Sequence, residues 1–327
     1  MAPNGKPALN LIFGGANATD PMARFDSPDE VNRVLDAFAA RGYHQIDTAR
    51  AYSPLAGGSS EPRIGAVKAG DRFAIDTKVM SGPGCHTKAE ILKEIDISLE
   101  ALKVKQINIE YLHVPDRTTK FEEACEAMDQ AIKEGKIKHW GLCNYSAEEV
   151  QRMLEICEQH GFVKPIVYQG QYNPLVRGGE KELFPLLRQH GMAFYAFSPA
   201  AGGFFAIDRN NIKAGGRFDT SITPTQHSVG SLYSDFYMKP AIISATENAM
   251  QVMSKHGIGG HAAALRWTAH HSLISPEHGD AIIVGSSSLE QQEANMDVVE
   301  QGPLPDDVAA SLSAVFEVTG DLIAYHL

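Results

Sequence analysis

Eight short apolar runs alternate with amphipathic segments along this chain of 327 residues, and that alternation limits the folds available to it. The runs, which we interpret as β-strands, are LIFGG (11–15), HQIDTA (44–49), FAIDTKV (73–79), INIEYLHV (107–114), HWGLCN (139–144), IVYQGQY (166–172), AFYAFS (193–198) and AIIVGS (281–286). Eight strands alternating with helices are typical of a closed parallel barrel. The sequence therefore predicts an α/β protein, a (β/α)8 TIM barrel, in one domain spanning 1–327.

Several intervening segments carry helix start and stop signals. Ser27 stands before Pro28, Thr87 opens another segment, and Ser146 with Glu149 three residues later forms a capping-box pattern. Glycines that can end a helix stand at 42, 135 and 161. These signals predict helices over 27–42, 87–103, 121–136 and 146–161.

One stretch, 202–240, is much longer than an ordinary connection inside a barrel and follows the seventh predicted strand. It is rich in Gly, Ser and Thr, which alone would suit a disordered insertion. It also holds six aromatic residues, whose apolar area is too large to leave in water. We therefore predict a long, packed, functional loop after strand 7.

Composition narrows the classes of partner. The formal charge of −11 and the isoelectric point near 5.6 argue against nucleic acid and against an anionic membrane surface, because both select basic patches. The chain starts without a basic leader and has no long apolar span. Four scattered cysteines suggest neither zinc nor disulfides. We expect a cytoplasmic protein that binds a small molecule and no membrane, with a homodimer as one option.

Three of the predicted strands end in polar residues that make chemical sense together. They are Asp47 in HQIDTA, Lys78 in AIDTKV and His113 in YLHVPD, with Tyr52 five residues after Asp47. The ends of successive strands are where an α/β barrel places its active site. Singly, each residue has an ordinary structural explanation: an ion pair, a satisfied core histidine or a packed tyrosine. In this order, the set predicts a proton donor for a carbonyl oxygen.

Elementary electrostatics assigns each of these residues a role. A free phenol titrates near ~10, which is high for rapid proton exchange at neutral pH. An ammonium about 4 Å away contributes roughly 4 kcal/mol at an effective dielectric of ~20, which favours the phenolate. We therefore predict Tyr52 as the acid, Lys78 as the group that tunes it, Asp47 as the partner of Lys78, and neutral His113 as the group that orients the substrate oxygen.

The chain as a whole resembles the aldo-keto reductases, and most of all the aflatoxin aldehyde and succinic semialdehyde reductase group. The resemblance rests on the four residues above and on YLHVPD, YQGQYNP, ELFPLLR, FYAFSPAAGG, AALRWTAHHS, GDAIIVGSSSLEQQEAN and VVEQGPL. It implies NADPH-dependent reduction of an aldehyde or ketone to an alcohol. Potassium-channel β subunits share this fold and the four residues, so a non-catalytic, NADPH-binding regulatory barrel is the alternative.

The resemblance also implies a set of cofactor contacts. Asn144 and Gln169 match residues that hold the nicotinamide carboxamide, Phe197 matches the aromatic ring that stacks on it, and Cys143 stands where many members have serine. The remaining positions along the cofactor are Ser198, Gly203, Ser286, Ser287, Gln291 and Asn295. Many members place a lysine and an arginine at the positions of Gly285 and Gln291, and this chain has neither.

Two further predictions concern the substrate and metals. Arg217 matches an arginine that holds a substrate carboxylate in succinic semialdehyde reductases, although a loop charge or a clamp on the cofactor phosphates would explain it equally well. The cluster His256, His261, His270 and His271 lacks an HExxH pattern or a cysteine partner, and a helix through 261–271 would scatter its members. We predict no metal site.

Overall fold

In the computed structural model, which describes residues 9–18, 27–53, 57–208, 212, 218, 220 and 229–327, eight parallel strands close into a barrel. Each strand pairs with its neighbours in chain order, and β1 pairs with β8. The strands are β1 (Asn10–Gly14), β2 (Gln45–Asp47), β3 (Ala74–Lys78), β4 (Ile107–Leu112), β5 (Ile137–Cys143), β6 (Val167–Gln171), β7 (Ala193–Phe197) and β8 (Ala281–Gly285). The predicted barrel is confirmed.

Twelve α-helices are present in the described part of the chain. They are α1 (Gly15–Ala18), α2 (Pro28–Ala40), α3 (Ser60–Ala66), α4 (Lys88–Leu102), α5 (Phe121–Lys133), α6 (Ala147–His160), α7 (Leu183–Gln189), α8 (Val229–Tyr237), α9 (Pro240–Lys255), α10 (Gly260–His270), α11 (Leu289–Glu300) and α12 (Asp306–Thr319). No helix in these ranges is both long and apolar enough to cross a bilayer.

The predicted helix boundaries have visible physical causes. The Ser27 side chain accepts a hydrogen bond from the Glu30 amide at the start of α2. Ser146 and Glu149 form the expected capping box at the start of α6, and Gly161 ends that helix at φ 67°. Helix α4 ends differently, at Lys103 with φ 56° in the left-handed region. A glycine-based stop signal would miss that end.

The stretch predicted as a long loop after β7 contains regular structure. A 3-10 helix covers Ala201–Ala206, and α8 lies farther along. Among its aromatic residues, five are buried: Phe204, Phe205, Phe218, Tyr233 and Tyr237. Their rings contact one another, as in the Phe204–Tyr237 pair with centroids 5.7 Å apart. The expectation that these aromatic rings are packed is confirmed.

The main hydrophobic core lies between the outer face of the barrel and the surrounding helices. Inside the barrel, a smaller apolar group contains Ile109, Tyr111, Cys143 and Val167, against which Tyr195 and Phe197 pack. The barrel interior is therefore filled rather than open, as expected for eight strands. We call this apolar group the plug; polar side chains lie next to it, at the carboxyl ends of the strands.

Candidate active site

The carboxyl ends of β2 and β3 carry an ion pair that is buried in the barrel. Lys78 places Nζ 2.7 Å and 2.8 Å from the two carboxylate oxygens of Asp47 and donates a further hydrogen bond to the Thr48 carbonyl at 2.7 Å. Lys78 is 0% exposed and Asp47 2%. Burial has the largest single effect on the Lys78 ammonium and lowers its pKa, but attraction to Asp47 and the hydrogen bond to it, together with the effects of Tyr52 and Cys143, outweigh burial, and the net pKa is raised. Lys78 therefore stays charged.

Tyr52 lies beside this pair, in the loop that follows β2. Its ring centre is 4.6 Å from Lys78 Nζ. The same ring meets the imidazole of His113, just after β4, edge to face, with centroids 5.7 Å apart and an interplanar angle of 78°. The structure thus brings together all four residues singled out from the sequence, with Tyr52 between the ammonium and the imidazole.

The protonation states of Tyr52 and His113 follow from their surroundings. Burial raises the pKa of the Tyr52 phenol, and the opposing effect of Lys78 is smaller. The predicted attraction of the lysine for the phenolate is present, but burial has the larger effect on this pKa. Burial, with help from Lys78, lowers the pKa of His113 to about 3. At neutral pH the site therefore holds a protonated phenol next to a neutral imidazole.

Cys143, Asn144 and Gln169 lie close to the ion pair, the first two at the end of β5 and Gln169 in the middle of β6. Gln169 Nε2 donates to Asp47 Oδ1 at 2.7 Å. Asn144, in the left-handed region at φ 66°, donates from Nδ2 to the His113 carbonyl at 3.0 Å. Its Nδ2 also lies 3.2 Å from Cys143 Sγ. Gln169 and Asn144 therefore support the Asp47 carboxylate and the His113 backbone directly, and Cys143 contacts the four central residues only through Asn144 and Gln169.

The residues predicted along the cofactor after β7 follow one another around the rim. Phe197 packs on the apolar plug inside the barrel. Ser198 has a left-handed backbone at φ 51°, and its hydroxyl lies 2.5 Å from the Tyr233 hydroxyl. Gly203 has φ 92° within the 3-10 helix, a conformation that favours glycine. The rim here is shaped by backbone geometry that few residue types adopt.

At the end of β8, the cofactor contacts predicted between 286 and 295, which the resemblance places at the adenosine end, surround the start of α11. Ser287 donates from both its amide and its hydroxyl to Gln291 Oε1, at 2.7 Å and 2.9 Å. Asn295 donates to the Gly285 carbonyl at 3.3 Å. Ser286 is 2% exposed, and its hydroxyl has no hydrogen-bond partner within the described ranges. A buried, unpartnered hydroxyl beside a helix start fits an anionic ligand.

The remaining predictions concern Arg217 and the histidine cluster. Arg217 lies outside the described residues. No group of three or more histidine, cysteine, aspartate or glutamate side chains able to hold a metal occurs among the residues that the structure describes. The histidines of the sequence cluster point to different partners: His256 to Asp307, His261 to Asn295, His270 to the Val299 carbonyl and His271 to the Leu304 amide.

Sequence reasoning missed a buried network behind the loop that carries Tyr52. Arg50 bonds Glu61 at 3.0 Å and Glu94 at 2.8 Å, and Glu61 accepts from Thr77 at 2.6 Å. Glu61 is 1% exposed. These bonds tie the β2 loop to β3 and α4, so they fix the backbone on both sides of Tyr52. A buried glutamate cannot be recognised from its sequence position alone.

A second missed group is Asp76, which lies two residues before Lys78 on the same face of β3. It is fully buried and accepts hydrogen bonds from Gln45 Nε2 at 2.6 Å and Asn108 Nδ2 at 2.7 Å. Burial raises its pKa to about 8. The signal was present in AIDTK, since strand residues i and i+2 share a face. It places a second acidic residue on the Lys78 face, roughly 6 to 7 Å earlier along the strand backbone.

The segment 321–327 packs against the loop that carries Asn144, a contact that has no signal in the sequence. The Leu327 amide donates to the Asn144 carbonyl at 3.0 Å, and Arg117 donates to the Leu327 carbonyl at 2.7 Å. The Tyr325 hydroxyl accepts from the Ala147 amide at 3.0 Å. These contacts satisfy the carbonyl of a residue held in an uncommon backbone conformation, and so help to fix Asn144.

Comparison with known proteins agrees with this geometry. A model of the Aldo/keto reductase family matches residues 10–317. The oxidoreductase sirO of Leptosphaeria maculans is 36% identical over 338 aligned positions, covering 100% of both chains. The human aldo-keto reductase family 7 member A3 is 36% identical, covering 90% of this chain and 91% of its own. Human aflatoxin B1 aldehyde reductase member 2 is 35% identical, covering 90% of this chain and 84% of its own. The chain therefore belongs to the aldo/keto reductase family, alongside the aflatoxin aldehyde reductases, and is an oxidoreductase.

Proposed function

We propose that the protein reduces an aldehyde or ketone to an alcohol with NADPH, and that Tyr52 donates the proton. The observation that carries this proposal is the placement of the Tyr52 ring 4.6 Å from the buried Lys78 ammonium and 5.7 Å from His113. When bound, NADPH supplies a hydride to the carbonyl carbon. The residues of this chain must therefore supply a proton and orient the oxygen.

The protonation states divide these two tasks. The raised pKa of Tyr52 keeps a proton on its hydroxyl at neutral pH, so Tyr52 can give that proton to an oxygen that becomes negatively charged. His113, with its pKa lowered to about 3, is neutral, so it can donate a hydrogen bond to the substrate oxygen but is not an acid that gives up a proton at neutral pH. The nearby ammonium favours the phenolate left behind, which lowers the cost of the transfer. Asp47 and Gln169 keep the ammonium in position.

The residues around the strand ends are suitable for the cofactor. Asn144 follows β5, Gln169 lies in the middle of β6 and Phe197 ends β7, and from these positions the three residues would hold the nicotinamide. Ser286, Ser287, Gln291 and Asn295 would hold the adenosine phosphate. The unpartnered Ser286 hydroxyl supports this assignment, because a buried hydroxyl without a partner costs about 1 to 3 kcal/mol unless a ligand satisfies it.

Replacing Tyr52 with phenylalanine tests the proposal directly. Steady-state reduction of 4-nitrobenzaldehyde should slow by about 10² to 10⁴-fold, the usual effect of losing a general acid. NADPH affinity, measured by quenching of intrinsic fluorescence, should stay within about twofold, because the variant keeps the ring. Wild-type turnover by Tyr52→Phe would refute Tyr52 as the donor. A wild-type protein that binds NADPH without reducing any carbonyl compound would favour the regulatory barrel.

A further inference from the structure

His261 stands between the two segments that the proposed function assigns to the cofactor phosphates. The first turn of α10 packs directly on the 3-10 helix that holds Gly203, since a Cβ built on Gly260 would come within 2.0 Å of the Phe205 carbonyl oxygen. The next residue, His261, is half-buried and reaches α11, where its Nε2 lies 2.8 Å from Asn295 Oδ1. The first turn of α10 therefore links the rim after β7, through the Gly260 backbone, to the rim after β8, through the His261 imidazole.

The hydrogen bonds around Asn295 fix its orientation. Its Nδ2 donates to the Gly285 carbonyl at 3.3 Å, so Oδ1 faces His261 and the imidazole Nε2 is the donor. Asn295 is 3% exposed. A buried amide held at both ends has one conformation, and losing the imidazole would leave Oδ1 without that donor. His261 is thus well placed to position a residue of the adenosine end.

The charges of the segment 285–295 make the position of His261 more significant. The segment 285–295 contains Glu290 and Glu293 but neither lysine nor arginine. A phosphate bound there would meet neutral donors and two nearby carboxylates. An imidazole is a basic group, and the fold brings this one in from a helix that precedes β8. The segment's own sequence gives no indication of it.

We infer that His261 is a specificity residue for the phosphorylated cofactor: it positions Asn295 and supplies the basic group that the segment 285–295 lacks. This inference rests on the proposed function. It predicts that the preference for NADPH over NADH depends on His261. It also predicts that the two contributions, positioning and charge, can be separated by substitution.

The test measures dissociation constants of NADPH and NADH by fluorescence quenching, with the full-length protein and no carbonyl substrate. His261→Ala should weaken NADPH binding about tenfold, because it removes both the donor to Asn295 and the basic group, and NADH binding by less than about threefold. His261→Gln keeps an N–H donor for Asn295 but carries no charge. It should leave NADH binding at the wild-type value while the NADPH preference falls as it does in His261→Ala.

The matched control is His270→Ala. His270 lies on the same helix and also bonds α11, to the Val299 carbonyl at 2.8 Å, but nine residues along the chain from His261. It should leave both dissociation constants unchanged. An unaltered NADPH-to-NADH ratio in both His261 variants, or an equal loss in His270→Ala, would overturn the inference while leaving the proposed function intact. A wild-type protein that binds neither nucleotide would overturn both.

Discussion

Substituting Lys78 with methionine removes the charge at the centre of the site while nearly preserving the length of the side chain. The wild-type ammonium makes three hydrogen bonds, two to Asp47 and one to the Thr48 carbonyl. After the substitution, the Asp47 carboxylate keeps Gln169 at 2.7 Å as a donor but loses its counter-ion. We expect two separate effects, one on stability and one on turnover.

Both magnitudes follow from the geometry. Breaking a buried ion pair by removing one partner typically costs about 3 to 5 kcal/mol. For 327 residues, an unfolding entropy of about 2.1 cal/mol/K per residue converts that cost to a fall in Tm of about 4 to 7 °C. A unit charge 4.6 Å from the phenol ring is worth about 3.6 kcal/mol at an effective dielectric of ~20. Losing it should lower kcat by roughly 10²-fold or more.

Thermal unfolding followed by circular dichroism gives the first quantity, and NADPH-linked reduction of 4-nitrobenzaldehyde gives the second. Lys93→Met, which removes an exposed lysine paired with Glu90, is the control and should change neither. The double variant Asp47→Asn, Lys78→Met should regain part of the lost stability and none of the turnover, because it removes the uncompensated carboxylate. An unchanged Tm or wild-type kcat in Lys78→Met would refute the reasoning.

Three other predictions follow from the site. Wild-type protein should bind NADPH more tightly than NADH, because Ser286, Ser287 and Gln291 offer neutral donors worth about 0.5 to 1.5 kcal/mol each, and tighter NADH binding in the fluorescence titration would contradict this. Neutral 4-nitrobenzaldehyde should have a higher kcat/KM than succinic semialdehyde. The substitution Arg217→Ala should lower kcat/KM for succinic semialdehyde only, and an unchanged value for that substrate would exclude a contact between Arg217 and the substrate carboxylate. Because folding lowers the pKa of His113 to about 3 while the unfolded chain takes up that proton below about 6.5, stability should fall as pH drops through this window. Urea unfolding of His113→Gln should show a shallower fall over the same range, and equal slopes would show that His113 does not contribute.

The strand pattern could be predicted from sequence because each barrel strand has its own local signal. All eight observed strands overlap the predicted runs, and the polar residues at 47, 78 and 113 stand at or next to strand ends as expected. The parallel register then brings them together without further information, as in the pairing of Asp47 with Asp76 and of Lys78 with Tyr111. In the closed barrel, residues at the ends of strands that are distant in the sequence therefore lie close together in space.

The remaining features depend on contacts without a local signal. His261 and Asn295 are 34 residues apart in the sequence, and Leu327 and Asn144 are 183 residues apart. The raised pKa of Tyr52 depends on how deeply the phenol is buried. An assumed distance between lysine and tyrosine gives no information on that burial.

The pairing of β1 with β8 has a consequence for how this protein acquires its activity. Asn10–Gly14 runs beside Ala281–Gly285 over five matched positions, about 270 residues apart in the chain. Contacts of such long range carry a high closure entropy and slow the search for the native state. The adenosine-side residues follow β8, whereas Tyr52 follows β2. During refolding, the circular dichroism signal of the helices should therefore recover before nucleotide binding quenches the intrinsic fluorescence of the protein. The lag between these two signals would measure the time needed for the last step of barrel closure.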